Sequence, residues 1–313
     1  MAKKKKSPVP LHKRILKWIL YILSVLVAAL LIWMYTEAGI VRLKSATLPL
    51  RGLPAAFEGT KILYVSDLHI NSLNSVDKVN ALMDELMSLK PDLLLLGGDY
   101  TSFDPLMRLS AAGSGSMGAY AVETEMRDLF FLNLNEFHPT LGKFGVAGEE
   151  DNLLERNAGT SLADAMALGG VTLLRDNAAR VYKGNDCLTI VGVDDWRTGM
   201  QDTRTPASQV SAKECVLLLC HNPEAIPMLN NQPASDGIWI DAAFTGHTHG
   251  GGIAVGGIPL FNPLGRDERY QSGWHLENSA KVLISNGVGN DLLPLRLNAS
   301  PEAHLITLTG LGG

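Results

Sequence analysis

Seven short apolar runs separated by turn residues constrain this chain most: KILYVS (61–66), DLLLLG (92–97), LTIVGV (188–193), VLLLC (216–220), DAAFTG (241–246), KVLIS (281–285) and HLITLT (304–309). Each has the length of a strand and is apolar enough to be buried on at least one face. Between the first two, Val76, Val79, Leu82, Met83 and Leu86 recur with helical spacing, so 76–89 reads as a helix. Strand, helix and strand within about 35 residues make a βαβ unit and predict an α/β architecture. Residues 119–137 read as a further helix ending before Pro139, and the small residues of 108–118 as a surface loop.

Asp and His fall where these strands stop. Asp67 and His69 follow the first run, Asp99 the second, His221 the run ending at Cys220, and His247 and His249 the run ending at Gly246. In open α/β sheets, sites form in the crevice beyond the carboxyl ends of strands, so four strand ends deliver six ligand side chains to one rim. Asp-x-His and His-x-His place alternate side chains on one side of an extended segment. A mixed carboxylate and imidazole set suits divalent transition ions (Mn, Fe, Zn or Co) better than Ca or Mg. A single Asp or His at a strand end is ordinarily a cap or a turn former; it is the recurrence that carries the signal. Cys220 ends an apolar strand and reads as a buried, inert thiol.

The N-terminus obeys different rules. Residues 15–35 read ILKWILYILSVLVAALLIWMY, with Trp18 and Tyr21 near one end and Trp33 and Tyr35 at the other. Roughly 20 apolar residues rising about 1.5 Å each span a hydrocarbon core, and aromatic rings favour its two interfaces. The expected organisation is a basic cytoplasmic tail (1–14), a transmembrane signal-anchor helix (15–36), a connector (37–58) and one domain over 59–313. A cleaved export signal is the alternative, with Thr36 and Ala38 as small residues before a cut; its apolar region would exceed the usual length of about 7–15 residues. Seven cations and no acids lie in residues 1–17, which argues for a cytoplasmic N-terminus and a domain outside. The remaining chain then holds 20 basic against 32 acidic residues, a poor composition for binding nucleic acid. Three cysteines are too few, and odd in number, for a disulfide framework.

Asp67-x-His69, Gly98-Asp99, the turn at Gly148, His221 and Gly246-His247-x-His249 resemble the calcineurin-like metallophosphoesterases over about 60–310, most closely their exported or membrane-anchored bacterial branch. The resemblance implies a four-layer sandwich of two β-sheets flanked by helices, with two divalent metals at the sheet edge. Asp67, His69 and His249 would hold one, His221 and His247 the other, with Asp99 bridging. It also implies hydrolysis of a phosphodiester or phosphomonoester, lipid- or nucleotide-linked substrates among them, by a metal-activated hydroxide.

One motif departs from the family. Where the family has Gly-Asn-His-Asp or Gly-Asn-His-Glu, this chain has Gly148-Glu149-Glu150-Asp151. Glu149 stands at the position of an asparagine ligand to the second metal, and Glu150 at that of a histidine that stabilises the phosphoryl group or protonates the leaving group. Loss of one such donor costs on the order of 10²–10³ in rate. Three readings stay open: Glu149 ligates metal while a protonated Glu150 acts as general acid; another donor, one from 101–143 for instance, replaces the histidine; or the protein binds metal and catalyses poorly, with a non-catalytic metal-binding module that keeps the fold as the alternative function. Arg266 and Arg269 are further cations near the expected pocket, and loops 101–143 and 250–275 are expected to shape it.

Overall fold

The apolar runs become the inner strands of two sheets. The computed structural model describes residues 10–104, 117–255, 258–260, 270–290 and 293–311. Its strands are β1 (Arg42–Leu50), β2 (Lys61–Val65), β3 (Leu93–Leu96), β4 (Lys143–Gly145), β5 (Thr172–Leu173), β6 (Asn177–Lys183), β7 (Asp186–Gly192), β8 (Val216–Leu219), β9 (Ala242–Thr245), β10 (Ala254–Val255), β11 (Ile258–Pro259), β12 (Gly273–Glu277), β13 (Ala280–Ile284) and β14 (Glu302–Gly310). The helices are α1 (Leu11–Ala38), α2 (Val76–Met87), α3 (Met117–Leu134), α4 (Glu149–Ala158), α5 (Leu162–Leu168), α6 (Arg204–Ser208) and α7 (Ile226–Asn230). One six-stranded sheet runs β1-β14-β2-β3-β4-β5 and the other β12-β13-β9-β8-β7-β6. The central pairs β2–β3–β4 and β7–β8–β9 are parallel, so the chemistry-bearing strand ends within each sheet point the same way.

The period-2 pleat sorts the side chains into layers. Ile62, Tyr64, Leu93 and Leu95 from one sheet meet Leu217, Leu219 and Phe244 from the other in a core between the sheets. Their neighbours Leu63, Val65, Leu94 and Leu96 face outward onto Met83 and Leu86 of α2 and Phe130 and Phe131 of α3. On the far side, Val216, Leu218 and Ala243 face Ile226 and Leu229 of α7. Helix, sheet, sheet, helix is the four-layer arrangement. Strands buried on both faces need continuous apolar sequence, which is why these runs do not alternate with polar residues.

Helix α2 starts where the Ser75 side chain accepts from Lys78 N–H and stops before Pro91, which cannot continue it. Helix α4 carries Glu149, Glu150 and Asp151 in its first turn and Arg156 in its last, both complementary to the helix dipole. The segment 37–58 is more than a connector: its residues 42–50 form β1, an edge strand parallel to β14 from Arg42 opposite Glu302 to Leu50 opposite Gly310. Its burial is confined to Leu48 and Leu50 at the far end, so the sequence shows no strand signature. The same holds for β6 and β12, half-exposed outer strands. The loop read at 108–118 lies outside the described residues except for its last two positions, which open α3.

Helix α1 spans 28 residues, about 42 Å of rise. Its most apolar stretch has no buried residue, and burial begins only at Met34 and Ala38. There the helix meets the body: Arg296 N–H donates to the Met34 carbonyl (3.1 Å) and the Ser300 hydroxyl to Glu37 (2.8 Å).

Candidate metal centre

The six ligand-type residues predicted from strand ends converge where the carboxyl ends of interior strands of the two sheets meet. Asp67 and His69 leave β2, Asp99 leaves β3, His221 leaves β8, and His247 and His249 leave β9. Backbone and side chain stitch the sheets together at this point. His221 Nδ1 lies 2.8 Å from the Gly97 carbonyl, and His247 N–H donates to Asp67 Oδ1 at 2.8 Å. Within the first sheet, Asp67 N–H donates to the Gly98 carbonyl and His69 N–H to the Asp99 carbonyl, both at 3.0 Å.

Two triads result, Asp67/His69/His249 and Asp99/His221/His247, each compact enough to hold a metal ion. Nε2 of His69 and Nε2 of His249 face each other at 3.0 Å. Asp99 Oδ2 stands between the triads, 3.7 Å from His69 Nε2 and 3.2 Å from His221 Nε2. The donor set fits a pair of cations: Asp67 Oδ2 and His247 Nε2 are buried without a hydrogen-bond partner, a costly condition that a metal would relieve. Burial, reinforced by the charges of His221 and Arg197, pushes His247 down to about 3. Burial and then Arg296 push His249 well below the ordinary imidazole range. Both shifts favour the neutral imidazole, the form that ligates. Burial favours the protonated acid at Asp99, but His221 and His69 outweigh it and hold its carboxyl low.

The backbone is strained at these positions. Asp67, His69, Asp99, His247 and His249 all have positive φ, between 43° and 67°. For a residue with a Cβ this conformation costs roughly 1–2 kcal/mol, and it persists only where the surroundings enforce it. Two glycines make room. A Cβ on Gly148 would collide with the Asp99 carboxylate, and one on Gly246 with that of Asp67.

Beside the triads lies a cavity of about 620 Å³, lined by His69, Asp99, His247 and His249 together with Glu149, Glu150 and Arg197. Glu149 belongs to neither triad; its carboxylate is half-exposed and lies 3.8 Å from the Arg197 guanidinium. Partial burial raises its pKa, with Arg197 opposing. Glu150 donates its backbone N–H to Asp99 Oδ1 at 2.9 Å. Cys220 is wholly buried, its thiol donates to the Asn222 carbonyl, and burial drives its pKa well above the ordinary value, as an inert thiol requires. Arg266 and Arg269 lie outside the described residues.

Three residues that the sequence reading assigned no role complete the site. Asp151 is fully buried; its carboxylate accepts from Asp99 N–H (2.7 Å), Tyr100 N–H (3.1 Å) and Gly148 N–H (2.9 Å), joining α4 to the β3 turn. Its signal was a carboxylate three residues after the Gly148 cap, half of a capping box. Arg296, 1% exposed, donates to the carbonyls of His249, Ala299, Asn286 and Gly289 and packs against Nδ1 of His249 at 2.9 Å. Nothing in the run LLPLRLNAS marks it. Arg197 lies in a loop the sequence reading passed over.

Comparison with known proteins converges on the same rim. The family model described as calcineurin-like phosphoesterase matches residues 60–251, which begin just before β2 and end just after His249. The chain is 30% identical to YpbG of Bacillus subtilis strain 168, over 92% of this chain and 96% of that protein. It is 30% identical to the phosphodiesterase YaeI of Escherichia coli K12, over 79% and 82% of the two chains. It is 22% identical to the UDP-2,3-diacylglucosamine pyrophosphatase LpxG of Chlamydia trachomatis, over 74% and 77%. Four layers, strand-end triads and a match spanning most of the chain lead to one assignment: the chain belongs to the calcineurin-like phosphoesterase family, hydrolases of phosphoester bonds.

Proposed function

We propose that this enzyme is a single-pass membrane phosphodiesterase, its basic N-terminus cytoplasmic and its domain outside, acting on a lipid-linked phosphoester at the membrane surface. The observation that carries the reading is the position of the cavity. The cavity lined by His69, Asp99, His247 and His249 is also lined by the apolar Ile253, Leu260, Leu293 and Leu295. Leu293 also lines a second, smaller cavity formed with Tyr35, Ala38 and Ile40 at the body end of α1. A polar reaction centre next to an apolar surface, close to the end of an apolar helix, suits a substrate with a phosphate head and a hydrocarbon body. LpxG, named for a diacylated substrate, supports the same class.

In this reading Asp67, His69 and His249 would hold one divalent transition ion and His221 and His247 the other, with Asp99 available to both and Glu149 an added carboxylate for the second. When bound, two such ions activate water and neutralise charge on the phosphoryl oxygens. The protein's own side chains do the rest. Asp67 and Asp99 set the charge that holds the ions, the cavity wall orients the substrate, and Glu150 supplies a proton to the leaving oxygen. The full-length protein in detergent should hydrolyse bis(p-nitrophenyl) phosphate with Mn²⁺, and a chelator should abolish this. No hydrolysis with Mn, Fe, Zn or Co would overturn the enzymatic reading. Hydrolysis of the soluble diester with none of phospholipid vesicles would overturn only the lipid assignment.

A further inference from the structure

The departure at Glu150 leaves a charge problem. A phosphoryl group gathers negative charge on its oxygens in the transition state and needs fixed donors there, whereas a glutamate offers an acid. Among the described residues lining the cavity, the only Arg or Lys side chains are Arg197 and Arg296. Arg296 is sealed among carbonyl groups. Arg197 is a third exposed, donates Nε–H to Glu224 at 2.9 Å, and holds Nη1 3.8 Å from Glu149.

Its position is built into the scaffold. Buried Asp195 accepts through one oxygen from Arg197 N–H (3.1 Å), Thr198 N–H (2.7 Å) and the Thr198 hydroxyl (2.5 Å). Trp196 N–H donates to the side chain of Asn222, the residue after His221 (2.7 Å). The Asn152 amide bridges Asp194 and Thr198, both at 3.1 Å, and so fastens this loop to the helix that begins with Glu149 and Glu150. The arginine is thus referenced to a ligand strand on one side and to the divergent motif on the other.

We propose that Arg197 binds the phosphoryl oxygens of the substrate and replaces the charge of the imidazole that the family carries at position 150. This rests on the phosphoesterase reading of the site. No bond to Arg197 forms or breaks. Its planar fork donates two hydrogen bonds to non-bridging oxygens and stays protonated throughout, so it stabilises charge and cannot serve as the general acid. Glu149, its neighbour in this structure, is left to the second metal.

The test uses the full-length, Mn²⁺-loaded protein in detergent and two readouts, orthophosphate affinity and bis(p-nitrophenyl) phosphate turnover, with metal content measured on every variant. Arg197→Ala should keep its metals, weaken orthophosphate binding at least about 10-fold and lower kcat by about 10²-fold, the scale of a lost stabilising donor. Arg197→Lys should fall between, because an ammonium matches the charge and lacks the fork. Adding Glu150→His to Arg197→Ala should recover part of both losses. Orthophosphate affinity within two-fold of wild type in Arg197→Ala would overturn the proposal, as would a loss explained by missing metal. A wild-type protein that binds orthophosphate through Arg197 and turns nothing over would instead overturn the phosphoesterase reading and leave the arginine's role standing.

Discussion

Two arginines border the same cavity and have opposite surroundings. Arg296, between β13 and β14, is 1% exposed and meets His249, Asn286, Gly289 and Ala299 through their carbonyl oxygens. Arg197, between β7 and β8, is a third exposed and meets carboxylates, Glu224 and Glu149, that water can also reach. A guanidinium whose donors are all taken inside the protein holds structure together. One that is a third exposed and paired with partly exposed carboxylates has donors that a phosphate can reach. The same side chain is therefore a clamp in one place and a recognition group in the other.

Substitutions can break this contrast or sharpen it. Asp99 has an oxygen facing both triads, and its change should be the most severe. Asp99→Asn is expected to lower turnover by on the order of 10³-fold, the upper range for one lost electrostatic element, and elemental analysis should find the metal content reduced. Arg296→Met keeps volume but orphans several buried acceptors. It should cost about 3 kcal/mol of stability and lower Tm by roughly 6–12 °C at this chain length. Arg197→Ala should lower Tm less than Arg296→Met does, since its ion pairs are partly exposed; an equal fall in both variants would erase the distinction. Glu149→Gln removes the carboxylate proposed for the second ion and should weaken binding of one metal equivalent at least about 10-fold, the lower end of the loss seen even for outer partners, as read by metal titration.

The smallest expected effect lies away from the site. Burial disfavours the Glu302 carboxylate, but its contact with His304 and the Asn286 N–H outweigh this and hold its pKa below the ordinary value. A depressed carboxylate contributes stability above its unfolded value, about 4.3, and that contribution is lost as pH falls through the folded value. Glu302→Gln should therefore narrow the gap between urea midpoints at pH 7 and pH 3. An unchanged gap would show that other carboxylates govern the acid limb.

Much of this was legible in the linear chain. The runs at 61–66, 92–97, 216–220 and 241–246 correspond to β2, β3, β8 and β9 within a residue or two, because a strand buried on both faces must be apolar throughout. Strands β1, β6 and β12 escaped because an edge strand buries little, and β1 also pairs with a strand some 260 positions later. The six ligand-type residues were visible because glycines and sudden polarity mark the ends of buried strands. Arg197 and Arg296 were not. An arginine's meaning depends on which acceptors surround it, and those come from segments the local sequence does not name.

Sequence alone determined the α/β class and the rim on which Asp67, Asp99, His221 and His249 would meet, since apolar length and strand ends are local properties, while the layers followed from the family its motifs resemble. Only the tertiary structure decided that those residues occupy left-handed backbone, that β1 belongs to the sheet, and that the two cations play different parts. Strain, edge pairing and burial of charge are relations between distant segments, and a residue acquires them only when the chain has closed around it.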